Sequence, residues 1–276
     1  GGWSNSASGS YATVAHCRLG LGVEPATVAG GSNNTASGDY ATVAGGIDNT
    51  ASDYSATVGG GAYNTASGGS STVAGGGSNK AGGEYSFAAG RRAKVATDHN
   101  GTFLFADDHN FDFNSTAANE FAVRSTGGAR FVSAIDGAGT PTAGVQLASG
   151  GGSWSTLSDR DLKDNFALSD GKQVLARLMA MPISTWNYKA QDSSIRHIGP
   201  MAQDFHAAFG LGEDDKHIAT VDADGVALAA IQGLHKIVRE KEAEITTLKE
   251  QNTELQARLS ALESLVENLA QQVGGE

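Results

Sequence analysis

Ser158 and Lys163 are the residues whose types and spacing most clearly suggest chemistry, because a hydroxyl and an amine lie five positions apart. A lysine that is partly removed from water can lose its proton near neutral pH and then activate a neighbouring hydroxyl as a nucleophile. The same residues have a simpler interpretation, since a serine followed by Asp159 before a polar turn is typical of a helix cap. From the spacing alone, both interpretations stay open.

Two groups of potential metal ligands occur upstream: Asp98 with His99, and residues 107–110, which are Asp-Asp-His-Asn. Carboxylate, amide and imidazole groups bind metal ions, but these residues lie among turn-forming residues, and we expect them to form solvated loops. The sequence contains no P-loop, dinucleotide-binding fingerprint or HExxH motif. We therefore expect neither a bound metal nor a cofactor.

The composition excludes several classes of protein. The 276 residues include 38 glycines and 4 prolines, and their formal net charge is −11, which disfavours binding to nucleic acid because that binding needs a basic surface. Cys17 is the only cysteine, so neither an internal disulfide nor a cysteine-rich zinc site can form. No apolar run is long enough to span a membrane. The chain begins with Gly1 and has no signal-peptide pattern, and we expect it to be a fragment of a longer protein.

Abrupt changes in composition divide the chain into four predicted parts. Residues 1–95 are dominated by small and polar residues that repeat, and residues 96–157 contain aromatic clusters typical of a β-rich connector. Residues 158–230 are more charged and mix strand and helix signals, while residues 231–276 have the pattern of one long helix. The predicted fold class is therefore mainly β followed by α+β.

The first part is an internal repeat. Its Thr-Val pairs place valines 15 residues apart, at Val28, Val43, Val58 and Val73, and an Asn-Thr-Ala phrase recurs between them. Thr-Val pairs flanked by Gly and Asn predict short strands. Such strands can bury a face only by stacking unit on unit, which predicts a narrow solenoid with small residues such as Val28 and Ala36 inside. The strict register disfavours disorder, the alternative for a Gly/Ser/Asn-rich segment.

These units, with their small-Val-Ala-Gly-Gly core and Asn-x-Ala-x-Gly turn, resemble the YadA-type head of trimeric autotransporter adhesins over about residues 1–95. The resemblance implies a left-handed parallel β-roll in each chain and a head in which three rolls pack together. The sequence departs from the pattern at residues 17–22, where the turn phrase is degenerate. We expect a loop or a local irregularity there.

The last part carries an apolar stripe with alternating spacings of three and four over about six heptads, in which Lys241 fills one slot. This pattern predicts a left-handed coiled coil, and its narrowness disfavours a helix that packs only against its own domain. Asn252 at a core position leans towards a dimer, so these rules alone do not select a trimer. The core positions are Ile231, Leu234, Val238, Ile245, Leu248, Asn252, Leu255, Leu259, Leu262, Val266 and Leu269.

Four motifs occur in order through the second half of the chain. They are Ser-Asp-x-x-Leu-Lys at residues 158–163, Trp-Asn-Tyr-Lys at 186–189, His-Ile-Gly-Pro-Met-Ala-Gln at 197–203 and Ala-Ile-Gln-Gly-Leu at 230–234. Together they resemble the intramolecular chaperone domain of phage endosialidases and tail fibres, a self-cleaving serine peptidase family, over about residues 155–276. The resemblance implies a small α+β domain that drives trimer assembly of a β-structured fibre and then cuts itself off.

The resemblance also implies roles for individual residues. Ser158 matches the nucleophile, Lys163 matches its basic partner, and the scissile bond is Leu157–Ser158. The reaction would occur once, on the chain's own backbone, with no activity on other substrates. The residues that match the assembly motif are His197, Gly199 and Gln203.

Two residues depart from this second family's pattern. Asp161 stands where the family often has an uncharged or basic residue, and a carboxylate there would favour the protonated form of Lys163 and slow cleavage. Pro200 replaces the usual aromatic or aliphatic residue after Gly199.

The two resemblances together predict part of a trimeric extracellular fibre or adhesin, on a bacterial surface or a phage virion, whose terminal chaperone drives assembly and releases itself. The expected partner is the chain itself as a homotrimer, with a host-surface protein or glycan as the candidate external ligand. The alternative is a tail-fibre or tailspike fragment whose glycan-degrading or receptor-binding domain lies upstream of Gly1. Residues 1–157 contain few clustered carboxylates, so no glycosidase pair is visible. A general protease is disfavoured because the nucleophile borders its own scissile bond.

Overall fold

The computed structural model describes residues 4–7, 13–14 and 25–273. The chain divides into two compact units, Gly1–Leu157 and Ser158–Glu276. The irregularity expected at residues 17–22 lies outside the described residues. Within the described part, no helix is both long enough and apolar enough to cross a membrane.

The first unit begins as a parallel β-solenoid of about seven turns, which confirms the repeat prediction. From residue 27 onward each turn contributes one strand to each of two parallel sheets, one of seven strands and one of eight. The strands of the seven-stranded sheet are β1 (Ser6–Ala7), β4 (Thr35–Ala36), β6 (Thr50–Ala51), β8 (Thr65–Ala66), β10 (Lys80–Ala81), β12 (Ala93–Val95) and β14 (Phe113–Asn114). Those of the eight-stranded sheet are β2 (Thr13–Val14), β3 (Thr27–Val28), β5 (Thr42–Val43), β7 (Thr57–Val58), β9 (Thr72–Gly77), β11 (Phe87–Arg91), β13 (Phe103–Ala106) and β15 (Phe121–Arg124).

The core of the solenoid consists of small side chains in columns. The repeat valines pair with one another in register, as Val28 does with Val43, and Val28 and Ala36 are fully buried as predicted. Strands of two residues leave room for only one inward side chain each, so the interior stays narrow. Glycine is needed where neighbouring turns approach closely: Gly46 has φ +94°, and a Cβ there would lie 2.1 Å from the Gly61 carbonyl oxygen.

A buried ladder of asparagines runs through the turns. Asn34, Asn49, Asn64 and Asn79 are each at most 1% exposed. Asn64 Nδ2 donates to the carbonyl oxygens of Gly60 and Gly76, at 2.9 and 3.0 Å, while its Oδ1 accepts the Asn79 backbone N–H at 3.0 Å. The ladder therefore satisfies turn carbonyls and amides that would otherwise be buried without partners.

The parallel pairing continues past residue 95. Strand β13 pairs with β11 and β15 pairs with β13, so that Phe87, Phe103 and Phe121 stand in one column. Their rings stack with centroids 4.8 and 4.9 Å apart. After β15 the chain forms an antiparallel three-stranded sheet of β16 (Gly128–Ile135), β17 (Pro141–Ala148) and β18 (Trp154–Thr156).

The second unit begins with a short 3-10 helix, Arg160–Leu162. It continues with α1 (Gly171–Ala180), a two-stranded antiparallel sheet of β19 (Ser184–Trp186) and β20 (His197–Gly199), α2 (Ala202–Phe209) and α3 (Thr220–Val273). Its buried core is small and consists of Met181, Phe205 and Val226. The 54 residues of α3 give a rod of about 80 Å.

Helices α1 and α3 cross at two glycines. A Cβ on Gly233 would lie 2.0 Å from the Gly171 carbonyl oxygen, and one on Gly171 would lie 2.6 Å from the Ala229 carbonyl oxygen. Lys172 Nζ bonds Glu240 Oε1 at 2.5 Å beside this crossing. The glycine of the Ala-Ile-Gln-Gly-Leu motif is therefore required by the close approach of two backbones.

We expect Asn64→Ala to destabilise the solenoid by about 2 kcal/mol, because it removes two bonds to partly buried carbonyls and leaves the buried Asn79 N–H without this acceptor. Thr65→Ala, one residue away on the half-buried outer side of the same turn, is the control and should cost less than about 1 kcal/mol. Chemical denaturation at one fixed chain concentration measures both variants. Equal losses for the two would contradict a supporting role for the ladder.

We expect Gly233→Ala to destabilise the second unit by about 2 kcal/mol, because the new methyl group must push two backbones apart. Gly225→Ala in the same helix is the matched control. A Cβ at Gly225 meets nothing within 4 Å, and alanine is the better helix former, so stability should be kept or raised. Thermal unfolding of the two variants compares them directly, and an unaffected Gly233→Ala protein would refute the close crossing.

Candidate functional site

The structure brings the two predicted catalytic side chains together. Lys163 Nζ donates a hydrogen bond to Ser158 Oγ over 2.5 Å. A lysine that has lost a proton would accept the hydroxyl proton along the same line, which is the geometry that a general base needs. The pair thus has the contact required for a nucleophile and its base.

The turn between these two residues is fixed by local hydrogen bonds. Asp159 is the N-cap of the 3-10 helix, and its Oδ1 accepts the Asp161 backbone N–H at 3.1 Å. At the other end the Lys163 N–H donates to the Arg160 carbonyl oxygen at 3.1 Å. The helix cap expected for this segment therefore exists, but Asp159 supplies it and not Ser158. The Ser158 hydroxyl instead accepts the hydrogen bond from Lys163.

The pair lies in an exposed segment, since every residue from 158 to 170 is exposed. The Arg160 guanidinium lies over the Phe166 ring, 5.9 Å from its centroid. Asp161 was expected to hold the lysine protonated, yet among the ion pairs of the described residues none includes Lys163.

The three predicted assembly residues lie apart from this pair. His197 and Gly199 belong to β20, and the exposed Gln203 lies in the first turn of α2. His197 Nε2 contacts Gln191 Oε1 at 2.9 Å, and among the described contacts none joins any of the three to Ser158 or Lys163. A Cβ on Gly199 would meet nothing within 4 Å, so the fold of this single chain does not itself require a glycine there.

Sequence reasoning did not predict an aromatic cluster around His197. The rings of Trp186, Tyr188 and His197 lie with centroids 4.8 to 5.6 Å apart, because β19 and β20 pair Trp186 with His197. The Trp186 Nε1 atom is buried without a hydrogen-bond partner among the described residues. Two motifs that begin eleven residues apart in the sequence thus form one cluster, and the available signals for it were Trp186 and Tyr188 in the first motif and the His197 ring in the second.

The predicted coiled-coil residues form an exposed stripe on α3. In the single chain, the apolar members from Ile231 to Leu269 are 44 to 66% exposed, and the polar Asn252 is exposed as well. The first part of α3 packs within its own unit, through the buried Val226 and Ala230 and through Gly233 against α1. The stripe is therefore an exposed surface that is apolar except at Lys241 and Asn252.

The structure brings together ligand atoms of Asp107, Asp108 and His109, within 4.8 Å of one another. Asp107 is already engaged: its carboxylate accepts Arg124 Nε at 2.7 Å and both the backbone N–H and the hydroxyl of Thr126. The Thr126 N–H is the main cause that holds the pKa of Asp107 well below its ordinary value. Arg124 also donates to the carbonyl oxygens of His109 and Phe111. Through these bonds the Asp107 carboxylate joins the last solenoid turns to one another.

The other predicted ligand pair has a structural partner too. His99 Nδ1 contacts Ser115 Oγ at 2.6 Å, while Asp98 Oδ1 lies 3.9 Å from His99 Nε2. Ser115 is nearly buried and also accepts the Ala96 N–H at 3.1 Å. The histidine thus ties one solenoid turn to the next.

Comparison with known proteins gave one match, to part of this chain. A family model described as chaperone of endosialidase (Peptidase_S74) matches residues 158–210. Neither the curated proteins nor the solved structures gave a match. The match begins at Ser158, the residue with which the second compact unit also begins. It suggests a role in the assembly of a trimer of the tail-fibre or tailspike type.

Proposed function

We propose that this chain is part of a trimeric extracellular fibre or adhesin, and that residues 158–276 are an assembly chaperone that releases itself by cutting Leu157–Ser158. The observation that carries the proposal is the 2.5 Å contact between Lys163 Nζ and Ser158 Oγ, at the first residue of the segment that matches the endosialidase chaperone family. We propose that such a fibre is attached to a phage virion or to a bacterial surface.

The stripe on α3 supports self-assembly. From Ile231 to Leu269 it is about 57 Å long, and its apolar side chains are roughly half exposed or more. A contiguous apolar surface of this size is rare on a monomer and marks an interaction site. Heptad spacing makes a second and third copy of the same helix the partners that fit it.

The outer faces of the two solenoid sheets differ, and one of them also supports self-assembly. Outward residues of the seven-stranded sheet are polar and include Lys80 and Lys94. The corresponding positions of the eight-stranded sheet begin with threonines and end in a column of phenylalanines, of which Phe121 is 68% exposed. Phe105 and Val123 add further exposed apolar surface beside this column. We propose that this face packs against other copies of the chain.

The proposed reaction uses groups of this chain and one water. Ser158 Oγ attacks the carbonyl carbon of Leu157 while its proton passes to Lys163 Nζ. The C–N bond then breaks as the lysine returns that proton to the departing Ser158 nitrogen, leaving an ester between Leu157 and Ser158 Oγ. Water attacks the ester carbonyl, which frees the Leu157 carboxylate and regenerates the Ser158 hydroxyl.

Cleavage is tested by expressing the chain with and without its nucleophile. We expect wild-type chain to yield fragments 1–157 and 158–276, with Ser158 as the new N-terminus, and Ser158→Ala and Lys163→Ala to stay at full length. Ser155→Ala, an exposed serine in β18, is the control and should be cut like wild type. Denaturing gels and N-terminal sequencing give the readout. Identical processing of wild-type and Ser158→Ala chains at this bond would remove the peptidase claim.

Assembly is tested on the helix. We expect Leu255→Asp with Leu262→Asp to abolish soluble trimers, because it would bury six carboxylates in the core without partners. The control is Ala257→Asp with Ser264→Asp, which places the same charges on the opposite side of α3, and it should assemble normally. Sedimentation velocity on both proteins measures the outcome. A soluble trimer from the leucine variant would show that assembly does not depend on the stripe.

A further inference from the structure

The segment that carries the proposed peptidase pair has no hydrophobic core to hold it, because every residue from 158 to 170 is exposed. In a fully extended chain, the Cα atoms of two residues five positions apart are about 17 Å from each other. That distance is too great for a lysine and a serine side chain to meet. The contact between Ser158 and Lys163 therefore depends on whatever shortens the backbone between them.

The 3-10 helix Arg160–Leu162 provides this shortening, since a 3-10 turn advances only about 2 Å per residue. A three-residue 3-10 helix is too short to be stable by propensity alone. Its first turn is held by one side chain, Asp159, whose Oδ1 accepts the Asp161 N–H at 3.1 Å. Asp159 itself has an extended backbone, with φ −68° and ψ 141°, as an N-cap residue requires.

We infer that Asp159 is a positioning residue for the Ser158–Lys163 pair, and that it acts by capping the turn that brings the lysine to the hydroxyl. The inference rests on the proposed self-cleavage at Leu157–Ser158. The observed bond of Asp159 needs an acceptor oxygen and not a charge, and among the ion pairs of the described residues none joins Asp159 to Lys163. Its function should therefore survive loss of the charge if the acceptor oxygen is kept.

The experiment follows cleavage of the full chain in Asp159→Ala and Asp159→Asn as a function of pH. Asparagine caps as well as aspartate does, while alanine cannot cap. We expect Asp159→Ala to cleave about fivefold more slowly than wild type and Asp159→Asn to stay within about twofold. The pH of half-maximal rate should be the same in all three proteins. Asp164→Ala is the control for loss of a carboxylate next to Lys163, and it should cleave at about the wild-type rate.

Two outcomes would overturn the inference while leaving self-cleavage intact. One is Asp159→Ala cleaving at the wild-type rate when Ser158→Ala blocks cleavage. The other is Asp159→Asn behaving like Asp159→Ala with its half-maximal rate at lower pH, which would mean that the carboxylate acts by its charge on the lysine. An uncleaved wild-type chain, or a cleaved Ser158→Ala chain, would instead refute the proposed function and the inference with it. Sedimentation of each variant shows whether a slow rate comes from failed assembly, which would also count against a positioning role.

Discussion

A single copy of this chain cannot bury its own apolar surface, and this constraint connects the parts of the structure. The solenoid turn is too narrow for anything larger than valine or alanine in most columns, so its larger apolar side chains face outward. The core of the second unit holds only a few buried residues, while the stripe on α3 is exposed along its length. Marginal burial within one chain is the physical basis for proposing further copies of it as partners.

The same constraint gives a physical reason for the proposed chaperone and for its proposed release after assembly. Parallel strands of two residues are stable only when the next turn is already in place. Folding of the solenoid therefore requires several turns to form non-local contacts before the contacts offset the loss of chain entropy. A long helix forms quickly from local contacts and can bring copies together early. Once neighbouring turns and asparagine ladders are in place, the helper is no longer required. Under the proposed function, the Ser158–Lys163 pair would cut off the chaperone at its first residue, and this cut would make the assembly irreversible.

The sequence predicted the solenoid where its period was regular and missed it where the period changed. Val28 to Val73 recur every 15 residues, but the equivalent positions Ala88, Leu104 and Ala122 are spaced by 16 and 18, so the later turns did not look like repeats. The buried asparagines were interpreted as turn residues, because only the stacked backbone reveals that their amides face inward. Spacing and resemblance predict the Ser158–Lys163 contact. The capping role of Asp159 is visible only once the 3-10 turn between these residues is known.

The most direct test of the account is native mass spectrometry of the purified full-length Ser158→Ala chain at micromolar concentration. Removing the nucleophile keeps both units in one polypeptide, so that the stoichiometry can be read without cleavage products. The account predicts a single species of three chains of 28.1 kDa each, which gives way to unfolded chain on dilution or heating with no folded monomer between. A stable folded monomer, or a dimer as the Asn252 position alone would favour, would contradict it.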